Sequence, residues 1–126
     1  MAERAFIDTE LVLLPPEDGG RLSPISSDAY GGKYRPHIVL QPRSVREAVV
    51  EIKDGMRCCD EHYIGVAFWE GASPIPIGES FSATLLLMYY PNAIYDECIA
   101  GAPFTLREGH KIIGHGEIKQ HRVMVE

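Results

Sequence analysis

The segment 104–118, FTLREGHKIIGHGEI, limits what this chain can fold into more than any other segment. Apolar and polar residues alternate on both sides of Glu108-Gly109-His110, which is the period of a strand with one buried face. Gly109 accepts without strain the positive φ angle that a short hairpin connection needs. The pattern predicts two antiparallel strands joined by a tight turn.

Gly114 and Gly116 lie two positions apart, so they point to the same side of the second strand of this hairpin. Without side chains, they allow the strong coiling or the close backbone approach that a closed barrel requires. We therefore expect the hairpin to close a small all-β barrel.

Four further segments have strand character and are separated by stretches rich in Gly, Pro and Ser. They are residues 6–14, 34–41, 63–70 and 79–90. With the hairpin they make six strands, and the predicted fold class is a six-stranded antiparallel β-barrel.

Residues 44–53 have a different pattern. Ser44 to Glu47 fits a capping box, and apolar residues recur at helical spacing until Gly55. We predict a short inserted helix here. A strand is the alternative, because Val49, Val50 and Ile52 are β-branched.

Composition excludes several classes of protein. A chain of 126 residues with 45% apolar residues is expected to form one domain over residues 1–126. The net charge of −6 argues against extensive electrostatic wrapping of nucleic acid. No apolar run suits a membrane span, and Met1-Ala2-Glu3-Arg4 lacks the layout of a signal peptide, so we expect a cytoplasmic protein.

The cysteines Cys58, Cys59 and Cys98 are odd in number, which favours free thiols over disulfides. Cys58, Cys59 and His62 lie in one run, but adjacent cysteine side chains diverge and the C-x-x-C spacing of zinc sites is missing. The histidines show no H-E-x-x-H spacing. We expect no metal and no cofactor.

Four segments occur in an order that carries a resemblance: LVLLPPEDGGRLSP, YRPHIVL, PIGESFSATLLLMYYP and FTLREGHKIIGHGEI. Together they resemble the C-terminal β-barrel domain (domain 3) of elongation factor Tu and related translational GTPases. In that family a GGR-x-x-P loop follows the first strand, YRP opens the second, and REG-x-x-x-x-G-x-G closes the barrel. The resemblance covers the chain except for an insert at about 43–61. It implies a barrel of the translation-factor type.

The chain contains no G-x-x-x-x-G-K-[ST] phosphate loop, so we expect neither binding nor hydrolysis of GTP. What the resemblance still implies is the role of that barrel alone, which is binding rather than catalysis. No nucleophile and base occur in a known arrangement, and we expect that the chain is not an enzyme.

The resemblance also implies a binding surface. In the family the GGR loop, the residue after YRP and the REG turn contact the T stem of aminoacyl-tRNA. Departures from the family pattern are Leu22 in place of His, His37 in place of Gln, and Tyr90 near a position where some members have Lys. The surface that the resemblance implies comprises Arg21, Leu22, Arg35, His37, Tyr90, Arg107, Glu108 and Gly109.

Two functions remain open at this stage. The first is a protein-interaction module, with a translation factor among the candidate partners, which fits the acidic charge and the lost polar contacts. The second is an RNA-binding module, supported by basic residues in the matching segments, namely Arg21, Lys33, Arg35, Arg107 and Lys111. Arg35 and Arg107 could instead pair with acids such as Glu108 or Asp28. We favour the protein-interaction module.

Overall fold

The protein, here a computed structural model that describes residues 3–42, 44–45, 51–53, 56–58 and 62–125, consists mainly of strands. The strands are β1 (Glu3–Leu13), β2 (His37–Leu40), β3 (Glu51–Lys53), β4 (Met56–Cys58), β5 (Ile64–Gly71), β6 (Ser80–Leu87), β7 (Pro103–Glu108) and β8 (Lys111–Val125). Three short 3-10 helices lie in the connections, at Pro16–Asp18, Ser27–Ala29 and Ala93–Glu97.

Six of the strands form one closed antiparallel sheet in the order β1-β6-β5-β2-β7-β8. Every neighbouring pair in this ring is antiparallel, and β8 returns to pair with β1. The prediction of an all-β fold with six antiparallel strands is confirmed. Among the described residues, no helix is long and apolar enough to cross a membrane.

The core lies inside the ring and is formed by alternate residues of each strand. Ile7 and Leu11 of β1 are fully buried, as are Phe68 of β5 and Phe104 and Leu106 of β7. Full burial of one such side chain contributes about 1.5–3 kcal/mol to stability. The neighbouring residues on each strand point outward, which is the alternation that the sequence predicts.

The predicted inserted helix is wrong for the residues that the structure describes. Residues 51–53 form β3, which pairs with β4 in a separate two-stranded sheet, with Ile52 opposite Arg57. Residues 54–55 lie outside the described residues; in the sequence, Asp54-Gly55 is compatible both with a two-residue hairpin connection and with the end of a helix. Val45 donates its backbone N–H to the Pro42 carbonyl at 3.1 Å, as in a turn. Residues 46–50 lie outside the described residues.

The longest pairing in the ring joins β1 to β8 and depends on two glycines. A Cβ at Gly114 would lie 2.7 Å from the Val12 carbonyl oxygen, and one at Gly116 would lie 2.6 Å from that of Glu10. Both distances are shorter than a carbon–oxygen contact tolerates. The predicted close approach of backbones at these glycines is confirmed.

Replacing Gly116 by alanine should therefore destabilise the fold. The added methyl group would also meet the Phe104 ring at 2.7 Å, so we expect a loss of about 1–3 kcal/mol through overpacking. Urea unfolding followed by circular dichroism measures the loss. Gln120→Ala, at an exposed position on the same strand, is the control and should change stability little. An unchanged unfolding midpoint for Gly116→Ala would contradict the close approach.

A polar contact on the outer face ties β8 to β1. Arg122 donates through Nε to Asp8 Oδ2 at 2.9 Å and through Nη2 to Asp8 Oδ1 at 3.1 Å, and Thr84 of β6 donates to Asp8 Oδ1 at 2.7 Å. Burial alone would raise the pKa of Asp8, but these hydrogen bonds and the charge of Arg122 outweigh burial and lower that pKa below its ordinary value.

This lowered pKa predicts how stability changes with pH. The folded state holds Asp8 ionised more strongly than the unfolded state does. The stabilisation is therefore present above the unfolded pKa and is lost as pH falls through the folded pKa. At pH 7, Asp8→Asn should lower the free energy of unfolding by at most about 1 kcal/mol, because the pair is partly exposed. The difference in unfolding free energy between Asp8→Asn and wild type should shrink towards pH 2–3 in urea titrations. A difference that does not change with pH would contradict the lowered pKa of Asp8.

Candidate binding surface

The turn between β7 and β8 positions most of the residues that the sequence marks as a binding surface. Gly109, with φ at 60°, makes this two-residue turn with His110, and Glu108 is the last residue of β7. Arg107 of β7 pairs across the sheet with His37 at the start of β2. We name Arg21, His37, Tyr63, Arg107, Glu108, Gly109 and His110 the closing-turn cluster.

Arg107 is the structural centre of this cluster. The residue is fully buried although it points away from the core. Its guanidinium donates to the Thr105 hydroxyl at 3.0 Å, the Tyr63 hydroxyl at 2.9 Å, the His110 carbonyl at 3.3 Å and the Gln41 side-chain oxygen at 2.5 Å. These bonds join β7 to the segments before β5, after β2 and at the turn.

Arg21 reaches the same turn from the GGR loop. Its Nε lies 3.3 Å from Glu108 Oε2, and its guanidinium lies over the Tyr34 ring at 5.6 Å. Tyr34 donates its hydroxyl to the same carboxylate oxygen of Glu108 at 2.5 Å. Burial, followed by this contact with a negative group, raises the pKa of Tyr34, so the phenol stays protonated. The GGR, YRP and REG segments thus meet at one carboxylate.

Three rings form a row beside Arg107. Tyr63 lies 6.0 Å from His37 and 5.6 Å from His110, in edge-to-face arrangements, and its hydroxyl is 3.0 Å from His110 Nδ1. The Arg107 guanidinium lies 5.4 Å from the Tyr63 ring centroid. His37 and His110 are exposed, so their rings are accessible to solvent.

Leu22 follows Arg21 and is the most exposed large apolar residue in the described part of the chain, at 89%. It stands next to an arginine that is held by Glu108, and almost none of its own side chain is buried. Contact with a partner would remove this apolar side chain from water, which is favourable.

Arg35 and Tyr90 lie in a different place from the closing-turn cluster. They line a groove of about 440 Å³ on the outer face of β1, β6 and β5, together with Arg4 and Trp69. Arg35 donates from Nε to the Gly32 carbonyl at 2.9 Å. We name Arg4, Arg35, Trp69, Leu87, Met88 and Tyr90 the outer groove.

Tyr95 fixes the turn that carries Tyr90. Its hydroxyl donates to the Gly65 carbonyl of β5 at 2.8 Å and accepts the backbone N–H of Tyr89 at 2.8 Å. Tyr95 is 1% exposed, and burial raises the pKa of its phenol. The exposed Tyr89 ring lies over Gly65, the cross-strand partner of His37.

The eight residues expected to form one surface are therefore divided between two places. Those of the GGR loop, the start of β2 and the closing turn come together, whereas Arg35 and Tyr90 line the outer groove. The residues that sequence reasoning missed are Arg4, Tyr63, Trp69 and His110. Trp69 follows the inward-pointing Phe68 in a strand, so alternation predicts that its side chain points outward. A large aromatic residue on the outer face of a sheet indicates a surface site.

The sequence predicts free thiols, and the structure describes one, at Cys98. Cys98 is free and fully buried, and burial raises the pKa of its thiol to about 11, which makes it unreactive at neutral pH. Within the described ranges, no group of three potential metal ligands occurs. Cys59 to Glu61, in the run weighed as a zinc site, lie outside those ranges.

Arg107 is fully buried and Arg21 is partly exposed, so their substitution should affect stability to different extents. Arg107→Ala should lower the free energy of unfolding by roughly 2–4 kcal/mol, because it removes the partner of several buried polar groups. Arg21→Ala should cost less than about 1 kcal/mol, since its ion pair is partly exposed. Urea unfolding of the two variants gives the comparison. Equal losses would show that Arg107 does not organise the turn.

A comparison with protein-family models finds no match to this chain, and a comparison with curated proteins finds none either.

Proposed function

We propose that this chain is a cytoplasmic, non-enzymatic protein-interaction module, built on a barrel of the elongation factor Tu C-terminal type. Its partner surface comprises Leu22 and the closing-turn cluster. One observation carries the choice of a protein partner: the two arginines at this surface are held by the protein itself, while the leucine beside them is exposed. A translation factor is a candidate partner because of the resemblance.

The state of the arginines disfavours RNA at this surface. Phosphate contacts supply most of the affinity of proteins for RNA backbones and require accessible cations. Arg107 has no exposed surface, and its guanidinium is hydrogen-bonded on several sides. Arg21 is paired with Glu108, so a phosphate would have to displace a carboxylate and would meet its negative charge.

The exposed groups favour a protein. Leu22 supplies an apolar contact, and Tyr63 and His110 supply rings in the closing-turn cluster. Protein interfaces have this arrangement, in which an apolar or aromatic centre contributes most of the affinity and polar residues surround it. The resemblance to the T-stem surface adds support for binding at this edge of the sheet, since the GGR loop and the REG turn meet there through Arg21 and Glu108.

RNA binding remains the second candidate because of one feature. His37 and His110 are exposed rings that contact Tyr63, and Lys111 follows His110 in the sequence. Unpaired bases can stack on the faces of such exposed rings. This would be recognition of single-stranded bases rather than of a helical stem.

The proposal predicts unequal effects of neighbouring substitutions. Proteins captured by the purified chain from an extract of its source cells and identified by mass spectrometry should be depleted about tenfold or more by Leu22→Ser, since an interface centre contributes about 2 kcal/mol or more. Arg21→Ala should deplete them much less. Leu22→Ser should unfold at the wild-type urea concentration, because Leu22 is 89% exposed and has almost no packing to lose.

Filter binding at low salt tests the alternative, which is RNA binding. The labelled probes are an aminoacylated tRNA and an unrelated duplex RNA. Preference for the tRNA that Arg21→Ala abolishes would replace the protein-interaction module by an RNA-binding one. Capture that is the same for wild type and Leu22→Ser would also overturn the proposed surface.

A further inference from the structure

The outer groove is a second surface with its own chemistry. Its floor is the outward face of β5 and β6, where Ala67 and Leu86 are opposite each other in the sheet. The turn at Gly31 and Gly32 forms one wall, because both residues donate backbone N–H groups to β5, to the carbonyls of Trp69 and Phe68. The groove is therefore held by main-chain bonds and does not depend on the conformation of a free loop.

Arg35 is an oriented and available cation in this groove. Its Nε is used by the Gly32 carbonyl at 2.9 Å, which fixes the direction of the guanidinium. Among the residues that the structure describes, no carboxylate lies within ion-pair distance of Arg35. The residue is exposed, so the terminal amino groups can reach a ligand. Such an edge offers parallel N–H donors that match both oxygens of a carboxylate.

Apolar and aromatic surface accompanies this cation. Trp69 stands at a bulge of β5, where its ring packs on Phe6 at 5.6 Å and has the Arg4 guanidinium above it at 5.3 Å. Met88 and Tyr90 complete the lining. Trp, Tyr, Met and Arg are the residues enriched in the centres of protein interfaces.

We propose that the outer groove binds an acidic peptide segment of a partner protein, in which a carboxylate lies beside an apolar or aromatic residue. The carboxylate pairs with Arg35, and the neighbouring side chain packs on Trp69 and Tyr90. The inference does not rest on the partner surface around Leu22, because no residue is shared between the two surfaces.

Charge around the groove favours a peptide over a nucleic acid. Glu3 is part of the lining, and Glu10 and Glu70 lie on the same outer face of β1 and β5. A peptide can present one or two carboxylates to Arg35 and avoid these acids. RNA carries a phosphate at every residue and would bring several of them against the acidic face of a chain with net charge −6.

The test uses the one tryptophan of the chain, which is Trp69 itself. Random peptides displayed on phage are selected on the intact protein, and the enriched sequences are synthesised and titrated while Trp69 fluorescence is recorded. We expect enrichment of Asp or Glu next to an apolar residue, and a saturable change in emission. Arg35→Gln should weaken binding about tenfold or more, as loss of one partner of a hydrogen-bonded charge pair does.

Three further variants show whether binding depends on the guanidinium of Arg35 in this groove. Lys33→Gln removes the same charge from the same turn but not from the groove lining, and it should change affinity far less than Arg35→Gln. Leu22→Ser should bind the selected peptides as wild type does, whatever happens to the partner surface at the closing turn. Arg35→Lys, which keeps the charge without the parallel donors, should show intermediate affinity.

Three results would overturn the proposal. One is selection without enrichment of acidic residues. Another is selected peptides that bind Arg35→Gln as tightly as wild type. The third is a change of Trp69 emission with single-stranded oligouridine that Arg35→Gln abolishes, since this would assign the groove to RNA.

Discussion

Closure of the sheet by β1 and β8 is the constraint on which the remaining structure depends. An open sheet of these strands would leave two unpaired edges, and closure removes both. It requires two backbones to approach within a distance that only glycine allows, because a Cβ at Gly114 or Gly116 would meet the carbonyl oxygen of Val12 or Glu10. Ring closure also fixes where every outward residue stands, because register and alternation leave each strand no freedom to slide.

The two surfaces owe their stability to different physics. The closing-turn cluster is organised by the buried guanidinium of Arg107, whose hydrogen bonds join segments far apart in sequence. The outer groove is organised by main-chain bonds from Gly31 and Gly32 to β5 and by the hydroxyl of Tyr95 on Gly65. Arg107 is buried and holds the closing-turn cluster together, whereas Arg35 is exposed in the outer groove and can contact a ligand.

How much the sequence predicts follows from the range of the interactions involved. The six strands and the glycine approach depend on local alternation, so they could be predicted. The strand β3 was only the alternative to the predicted helix, because Val45 and Ile52 fit a helical spacing while Val49, Val50 and Ile52 also favour a strand. The separation of Arg35 from Arg21 could not be predicted. Tyr34 and Arg35 are neighbours in sequence and point to different sides of the chain. Their directions are set by the packing of Tyr34 on Phe68, which is a long-range contact.

The pairing of Glu3 with Val125 has a mechanical consequence. The outer ends of β1 and β8 lie side by side and run in opposite directions, so a force that pulls them apart loads one residue pair at a time. The residue pairs between β1 and β8 would then separate one after another, and the ring would open at low force. Heat or urea, in contrast, acts on all of these pairs at the same time. A module of this shape is therefore weak under tension applied at its two outer strand ends.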